Sequence, residues 1–271
     1  MKIYICALTK LKFMRFKTRM LAIAICFAFA SIQFTSCKKD NVATKLTAEN
    51  NSNSIASIKQ NLVAWYKFTN GNTGDYSGNN NPLNAHHVTL DTDYMGRPNN
   101  ACRFNGFSSY MQTGNSRSLN PSSITLVALF KPTGFYGGIT TRILMKGTDD
   151  QSNGDYYLGY QNNGAMYGLY GDGQFQSNNP VSPQGTLQLN SWYKLVYTYG
   201  DGVGKLYVND VLVNQANVTA SFNHNISPLR IGTTGRPDFP YWFNGVIDEI
   251  RIYNIALSAK QVANVDSQLG K

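Results

Sequence analysis

The stretch Val246-Ile-Asp-Glu-Ile-Arg-Ile-Tyr253 is the last of several runs in which apolar residues recur at about every second position. A period of two is typical of a β-strand that buries one face. Shorter runs of the same kind fill residues 62–250, and turn residues separate them. None of these runs has the sustained 3.6-residue spacing of an amphipathic helix. The sequence therefore predicts an all-β fold of many short antiparallel strands, either a sandwich or a barrel.

The other runs predict strands that are joined by tight turns. They are Leu62–Phe68, Ser123–Phe130, Arg142–Met145, Tyr156–Tyr160, Met166–Tyr170, Trp192–Tyr199, Lys205–Val208 and Val211–Val213. Lys131-Pro132 is expected to end the second of them. Asn162-Asn-Gly164 is a hairpin signal, and Asn209-Asp210 is a second predicted turn. One short helix is expected at Ser258–Val265, because Ser258 suits the N-cap position.

Composition and charge exclude several classes of protein. Of the 271 residues, 42% are hydrophobic and only 14% are charged, which argues against a coiled coil or a helical bundle. The net charge is +9, but six of the 24 basic residues and no acidic residue lie in 1–36. The rest of the chain carries 18 basic and 15 acidic residues, without a basic cluster. A nucleic-acid partner is therefore not expected.

Residues 1–36 are predicted to be a signal peptide. A basic stretch precedes the apolar run Met20–Ala30, which is too short to span a bilayer comfortably. Phe34-Thr-Ser-Cys37 resembles the lipobox of bacterial lipoproteins, which implies that Cys37 carries a lipid and becomes the mature N-terminus. The alternative is an ordinary cleaved signal with an incidental Cys37. Polar residues 37–60 are predicted to be a flexible tether, and 61–271 a single domain.

The cysteine content gives no sign of a disulfide framework. After the predicted leader only Cys37 and Cys102 remain, whereas exported proteins that depend on disulfides carry an even set beyond any lipidated cysteine. Cys102 is expected to be a buried strand residue.

Several motifs in the predicted domain are similar to those of one known superfamily. They are Val63–Phe68, Asp75-Tyr-Ser-Gly-Asn79, Asp93–Gly96 with Ala101–Gly106, and Gly245–Asn254 with Ala256–Ser258. In this order the chain resembles the laminin-G-like branch of the concanavalin A-like lectin/glucanase superfamily, as found in bacterial surface proteins. The resemblance implies a two-sheet antiparallel jelly roll with one short C-terminal helix.

The resemblance also implies a structural calcium ion. Members of the family often hold calcium where the first and last strands pair, which here points to Asp75, the carbonyl of Asn80, and Asp248. Hard cations prefer such oxygen ligands. The alternative is that Asp75 forms an Asx turn and that Asp248 pairs with an arginine.

The sequence argues against an enzyme. Glucanases of the superfamily need two carboxylates that face one cleft, whereas Asp248 and Glu249 are adjacent and are expected on opposite faces of a strand. Asp91 and Asp93 have the right parity but fall in a predicted loop. His86, His87 and His224 lack companion ligands at metal spacing. No nucleophile elbow is present.

Loop aromatics are the candidates for ligand binding, because aromatic rings stack on sugar rings. Phe239, Tyr241 and Trp242 lie just before the last strand, whereas Trp65 and Trp192 are assigned to the core. We therefore expect a lipid-anchored binding protein at the outer membrane or cell surface of a Gram-negative bacterium, with a glycan as its ligand. The alternatives are a module that binds an extracellular protein, or a divergent glycoside hydrolase.

Overall fold

The structure is a computed structural model that describes residues 56–147, 155–171, 178–218 and 225–269. These residues all belong to one compact unit, Thr44–Lys271. The predicted signal peptide, Cys37 and His224 lie outside the described residues. No helix within the described ranges is both long enough and apolar enough to cross a membrane.

The described residues form fourteen strands. In chain order they are β1 (Leu62–Tyr66), β2 (Asn84–His86), β3 (Thr89–Asp91), β4 (Ala101–Asn105), β5 (Tyr110–Thr113), β6 (Ile124–Gly134), β7 (Thr140–Lys146), β8 (Asp155–Gln161), β9 (Met166–Gly171), β10 (Tyr193–Gly200), β11 (Val203–Val208), β12 (Val211–Asn217), β13 (Leu229–Ile231) and β14 (Asn244–Tyr253). Short 3-10 turns lie at Thr69–Gly71 and Arg117–Leu119, and a C-terminal helix at Ala259–Leu269.

The strands form two antiparallel sheets, as the sequence predicts. The large sheet has the order β12-β11-β10-β6-β14-β4-β3, with β1 also paired to β14. The small sheet has the order β2-β5-β13-β7-β8-β9. The two inner faces enclose one continuous apolar core that includes Phe104, Phe130, Tyr160 and Phe243. The all-β sandwich with a short C-terminal helix is therefore confirmed.

The predicted turns form as tight hairpins. Asn209 and Asp210 have φ of 48° and 69°, so both central residues are left-handed, as a type I′ hairpin turn requires. Strand β6, however, does not end at Lys131-Pro132, because it continues to Gly134. Pro132 is tolerated beside a register shift at Asn244/Gly245 of β14, where the ladder can lack a donor.

Strand β14 is an interior strand of the large sheet and pairs with three other strands. Along one edge it pairs with β6 for its whole length. Along the other edge it pairs with β4 from Asn244 to Ile247, and with β1 from Ile250 to Tyr253. At the change of partner the register against β6 also shifts, since Ile247 lies opposite Phe130 and Glu249 opposite Leu129. Asp248 is thus the extra residue of a β-bulge.

The outer face of the large sheet carries a polar network that ties both ends of the domain together. The Trp65 indole N–H donates to Glu249 Oε1 over 2.6 Å, and Glu249 also forms an ion pair with Arg251. Arg251 Nη1 in turn donates to the carbonyl of Val265 in the C-terminal helix over 2.8 Å. Strand β1, strand β14 and the helix are therefore linked through three side chains.

The N-terminal boundary of the packed domain lies a few residues before the predicted one. Residues 56–60, assigned to the flexible tether from sequence, form a helical segment. Ile58 is fully buried in an apolar cluster that also contains Trp65 and, from the C-terminal helix, Val262 and Val265. The sequence did not predict this segment, because one isoleucine among polar residues does not produce the repeating hydrophobic pattern of a helix.

The C-terminal helix begins with the predicted cap. Ser258 Oγ accepts the N–H of Gln261 over 3.3 Å, and Gln261 Oε1 accepts the N–H of Ser258 over 2.9 Å. This reciprocal pair is a capping box. The helix runs past the predicted end at Val265 to Leu269.

Ile58→Ala should destabilise the domain by about 2–5 kcal/mol, the range for removing a buried isoleucine side chain. Chemical denaturation measures the free energy of unfolding. Ile226→Ala is the matched control, since Ile226 is 89% exposed and should change stability by less than about 0.5 kcal/mol. Equal small effects for both variants would show that residues 56–60 do not pack on the domain.

Candidate functional site

The bulge in β14 corrects one expectation from the sequence. Ile247 and Ile250 both lie in the core although they are three residues apart, which strict alternation does not allow. Asp248 and Glu249 therefore both face outward, and both line one cavity on the outer face of the large sheet. The expectation that they lie on opposite faces is wrong, because the bulge inserts one residue between the two alternating halves of the strand.

This cavity, called here the Trp192 cavity, has a volume of about 610 Å³. Its lining comprises Tyr94, Met95, Leu129, Trp192, Lys194, Asn209, Asp210, Asp248, Glu249 and Arg251. The residues come from β6, from β10 and the position just before it, from β14, from the turn between β11 and β12, and from the loop after β3. A concave site with apolar walls and a few convergent polar groups is the usual form of a ligand pocket.

Aromatic side chains form the rim of the Trp192 cavity. Trp192 was expected in the core but is half-buried, because it stands one residue before β10 begins. The Tyr94 ring meets it edge to face, with ring centroids 5.9 Å apart and an interplanar angle of 83°. Lys131 Nζ lies 5.2 Å from the Trp192 ring centroid. Tyr94 is 59% exposed, so its ring remains accessible to a ligand.

A tight turn presents Tyr94 and Met95 at this rim. The buried Asp93 carboxylate accepts the N–H groups of Met95 and Arg97 at 2.9 and 2.8 Å, and forms an ion pair with Arg97 Nε at 2.7 Å. Burial alone would raise the pKa of Asp93, but the bonds from Arg97 and Met95 lower it below its usual value. Asp93 therefore fixes the rim and does not itself face the cavity.

Each acidic side chain at the floor of the cavity has a partner within the protein. Glu249 accepts from Trp65 and Arg251, as described above. Asp210 forms an ion pair with Lys194 at 2.6 Å, and Asp248 accepts the N–H of Tyr94 over 3.2 Å. The floor is thus strongly polar, but its charges are largely compensated.

Cys102 lies behind this floor and is buried, as predicted. Burial, together with the negative charge of Asp248, raises the pKa of the Cys102 thiol to about 12. The thiol is therefore protonated at neutral pH and is a packing residue.

Asp75 organises the loop after β1. Its Oδ1 accepts the N–H groups of Trp65 and Ser77 at 3.0 and 2.8 Å, the second of which forms an Asx turn. Its Oδ2 accepts from the Ser77 hydroxyl and from the N–H of Asn81, at 2.9 and 3.1 Å. Asp75 thus has the arrangement that the alternative to calcium predicts.

The three residues expected to bind calcium do not fit a cation as they stand. Protein N–H and O–H donors already occupy both carboxylate oxygens of Asp75, and Asp248 bonds to Tyr94 beside the Trp192 cavity. Asn80 is exposed, with φ of 59°. In the described part of the chain no group of three or more His, Cys, Asp or Glu side chains is placed to hold a metal ion.

The three loop aromatics that were expected to bind a ligand do not share one site: the Phe239 and Tyr241 rings pack together, with centroids 6.1 Å apart, whereas Trp242 faces a different surface. Tyr241 packs beside the buried Arg142, whose guanidinium carbon lies 5.0 Å from the tyrosine ring centroid. Phe239 is 49% exposed and lies 5.1 Å from the guanidinium of Arg236. Trp242 is half-buried and lines a second, smaller groove on the outer face of the small sheet.

The Trp192 cavity was missed from sequence, although one signal was available. In Val246–Tyr253 the isoleucines at 250 and 252 lie at even positions, whereas the isoleucine at 247 lies at an odd position. The Asp-Glu pair falls between these two halves, where the alternation breaks. Such a break marks a bulge. No comparable signal in the sequence indicates that Tyr94 lines this cavity, because its position depends on the loop after β3 lying over β14.

Comparisons with known proteins give the same fold. Residues 104–263 match the Laminin_G_3 family, described as concanavalin A-like lectin/glucanases superfamily. No curated protein sequence matches the chain. Domain 4 of AbnA, a GH43 extracellular arabinanase from Geobacillus stearothermophilus solved in complex with arabinotriose, is a similar structure. It is 21% identical with a TM-score of 0.56, and the match covers 75% of this chain and 97% of that one.

Two botulinum neurotoxin structures are also similar. The serotype D binding domain is 16% identical with a TM-score of 0.62, over 78% of this chain and 52% of that one. A structure of botulinum neurotoxin type C, described as entering cells through interaction with two ganglioside molecules, is 15% identical with a TM-score of 0.61, and the match covers 80% of this chain and 53% of that one. This chain spans about half the length of each. At these identities the likeness shows the fold, and the family match decides the assignment: the chain belongs to the Laminin_G_3 family of the concanavalin A-like lectin/glucanases superfamily.

Proposed function

We propose that this domain binds a glycan without cleaving it, and that the Trp192 cavity is the binding site. One observation carries the proposal: two accessible aromatic rings, Trp192 and Tyr94, stand at right angles above a floor of polar side chains. The rings offer apolar faces to a sugar ring, and the floor offers acceptors and donors to its hydroxyl groups.

The dimensions and charge of the cavity suit an uncharged sugar. A volume of about 610 Å³ lies within the range of small-molecule pockets. The floor holds carboxylates from Asp248, Glu249 and Asp210 together with the cations Lys194 and Arg251. A ligand with a net charge would meet groups of its own sign, whereas neutral hydroxyl groups can both donate to the acids and accept from the cations.

The same contacts argue against hydrolysis, even though Asp248 and Glu249 line one cavity. Glycoside hydrolysis needs one carboxyl that donates a proton and a second that attacks or activates water. Glu249 is held by Trp65 and Arg251, and Asp210 is held by Lys194. These contacts give both carboxyls structural roles, so the cavity lacks the opposed pair that the reaction requires.

Similar structures support a binding role. The arabinanase domain was solved with arabinotriose, and the type C neurotoxin is described as interacting with gangliosides. Both are binding events with saccharides on this fold. For the present chain these two structures support only the class of ligand, a saccharide. A glycan array would identify which sugar binds.

Trp192→Ala should weaken binding of the best neutral glycan from an array by about 10- to 100-fold, because the loss of one stacked ring costs about 1.5–3 kcal/mol. Tyr94→Ala should also weaken binding, because it removes the second ring of the rim. The backbone N–H of Tyr94 still donates to Asp248 in this variant, so the loss reports on the ring alone. Titration calorimetry measures both.

Phe107→Ala is the control for these variants, because Phe107 is 69% exposed and lines neither cavity. It should bind like the wild-type chain. Release of reducing sugar by the wild-type chain, abolished in Asp248→Asn, would contradict the proposal. Silence on the array together with capture of one extracellular protein would favour the adhesion alternative instead.

We also propose that the protein is exported and anchored by a lipid on Cys37, a residue outside the described ranges. This proposal rests on the lipobox-like sequence Phe34–Cys37. In a Gram-negative host, mass spectrometry should find an acylated N-terminal cysteine, and Cys37→Ser should move the protein from the membrane to the soluble fraction. Cys26→Ser in the leader is the control and should leave the anchor intact. An unmodified Cys37 would contradict this assignment.

Calcium binding was expected from the sequence, but the contacts of Asp75 argue against it. Since both of its carboxylate oxygens already accept hydrogen bonds, the midpoint of thermal unfolding should be the same in calcium chloride and in EDTA. A midpoint that rises with calcium, and no longer rises in Asp75→Asn, would show instead that the loop rearranges to bind the ion.

A further inference from the structure

A second groove lies on the outer face of the small sheet, and we call it the Trp242 groove. It has a volume of about 340 Å³. Its lining comprises Tyr110, Gln112, Arg230, Thr233, Gly235, Arg236, Pro237, Pro240 and Trp242. The outward direction of its floor follows from strand parity, because the sequence neighbours Met111, Leu229 and Ile231 are all in the core.

One wall of the groove is aromatic and held in place. Trp242 and Tyr110 have ring centroids 6.1 Å apart at an interplanar angle of 44°. The His86 ring stacks on Tyr110 from the next strand, with centroids 4.4 Å apart and an angle of 10°. Tyr110 therefore has little freedom to turn away, and the half-buried indole beside it offers an apolar surface to a ring-shaped ligand.

The floor of the groove presents a cation. Arg230 is half-buried, and within the described residues its guanidinium forms no ion pair. Its Nη1 donates to the carbonyl of Thr234 over 3.1 Å, which leaves most of its five N–H donors available. Partial burial lowers the pKa of Arg230, so the guanidinium has lost part of its hydration, yet it stays charged at neutral pH.

The loop beside Arg230 is fixed by its own hydrogen bonds. Thr233 Oγ1 donates to the carbonyl of Pro240 over 2.8 Å, and Thr234 Oγ1 donates to that of Phe239 over 2.7 Å. Gly235 has φ of 79°, and a Cβ atom there would collide with the Arg230 side chain. The loop thus holds the guanidinium in one position, which reduces the entropy lost when a ligand binds.

No acidic side chain is among the residues that line the groove, and a second arginine, Arg236, stands at its edge. Asp238 belongs to the same loop but is exposed and outside the lining. The groove is therefore positive, in contrast to the compensated floor of the Trp192 cavity. A planar guanidinium recognises carboxylate and sulfate groups through paired hydrogen bonds.

From this geometry we infer that the Trp242 groove is a second saccharide site, specific for sugars that carry a carboxylate or sulfate group. The sugar ring packs against Trp242 and Tyr110, and its anionic group bonds to Arg230. This site lies on the opposite sheet from the Trp192 cavity and takes a different class of ligand, so either assignment can fail without the other.

The test uses the full-length chain and three probes in titration calorimetry. Tetragalacturonate carries carboxylates, its methyl ester is the same oligosaccharide without charge, and a chondroitin sulfate tetrasaccharide adds sulfate. We expect at least one anionic probe to bind, with an affinity that falls as salt is added. If tetragalacturonate binds, its methyl ester should bind at least about tenfold more weakly. Binding of tetragalacturonate would show that a carboxylate is sufficient, whereas binding of the chondroitin sulfate probe alone, which carries carboxylates as well, would show that sulfate is needed.

Arg230→Gln should weaken the anionic probe by about 10- to 100-fold, as expected for the loss of charged hydrogen bonds. Arg117→Gln is the matched control, because Arg117 is exposed and lies outside the groove, and it should bind like wild type. If Arg230→Gln lowers the unfolding midpoint, Trp242→Ala tests the same groove through its half-exposed ring.

Nuclear magnetic resonance locates the ligand independently of any variant. The indole N–H signal of Trp242 should shift with the anionic probe, while that of Trp192 should not. Four results would overturn the inference: no binding of either anionic probe, equal affinity for tetragalacturonate and its methyl ester, wild-type affinity in both Arg230→Gln and Trp242→Ala, or a shift at Trp192 in place of Trp242.

Discussion

The pairing of β14 is the constraint on which the remaining features depend. This strand needs partners on both edges because it is a buried interior strand of the large sheet, and two different strands, β4 and β1, share its second edge. The bulge at Asp248 lies where one partner ends and the other begins. It turns both acids outward while keeping Ile247 and Ile250 in the core. That single extra residue places both acids in the Trp192 cavity.

The bulge also explains how the chain ends are held. Glu249, turned outward, reaches the indole of Trp65 in β1, and Arg251 reaches the C-terminal helix. The same carboxylate therefore contributes to the stability of the domain and to the floor of the Trp192 cavity. Because its acceptor sites are used in that network, the cavity is better suited to hold a ligand than to transform one. The opposite face differs in charge, since Arg230 there has no acidic partner among the described residues.

Much of the fold follows from local patterns in the sequence. Period-two runs, the Asn209-Asp210 turn and the Ser258 cap all act over a few residues, and the structure confirms each. The binding surfaces depend on contacts between distant segments, which these patterns do not encode. Trp192 resembles a core residue by composition, but it stands one residue before β10, where its ring meets the Tyr94 loop at the rim of the cavity. Phe239, Tyr241 and Trp242 were correctly placed in a loop, but neighbouring side chains of that loop point to different surroundings.

A crystal structure of the chain with the neutral glycan selected by the array is the most direct test of the central claim. The account predicts that Asp248 and Glu249 both face the ligand side of the large sheet, and that an intact sugar ring lies against Trp192 with its hydroxyl groups toward the polar floor. Density for a cleaved sugar, or a regular β14 that directs these two acids to opposite faces, would contradict it.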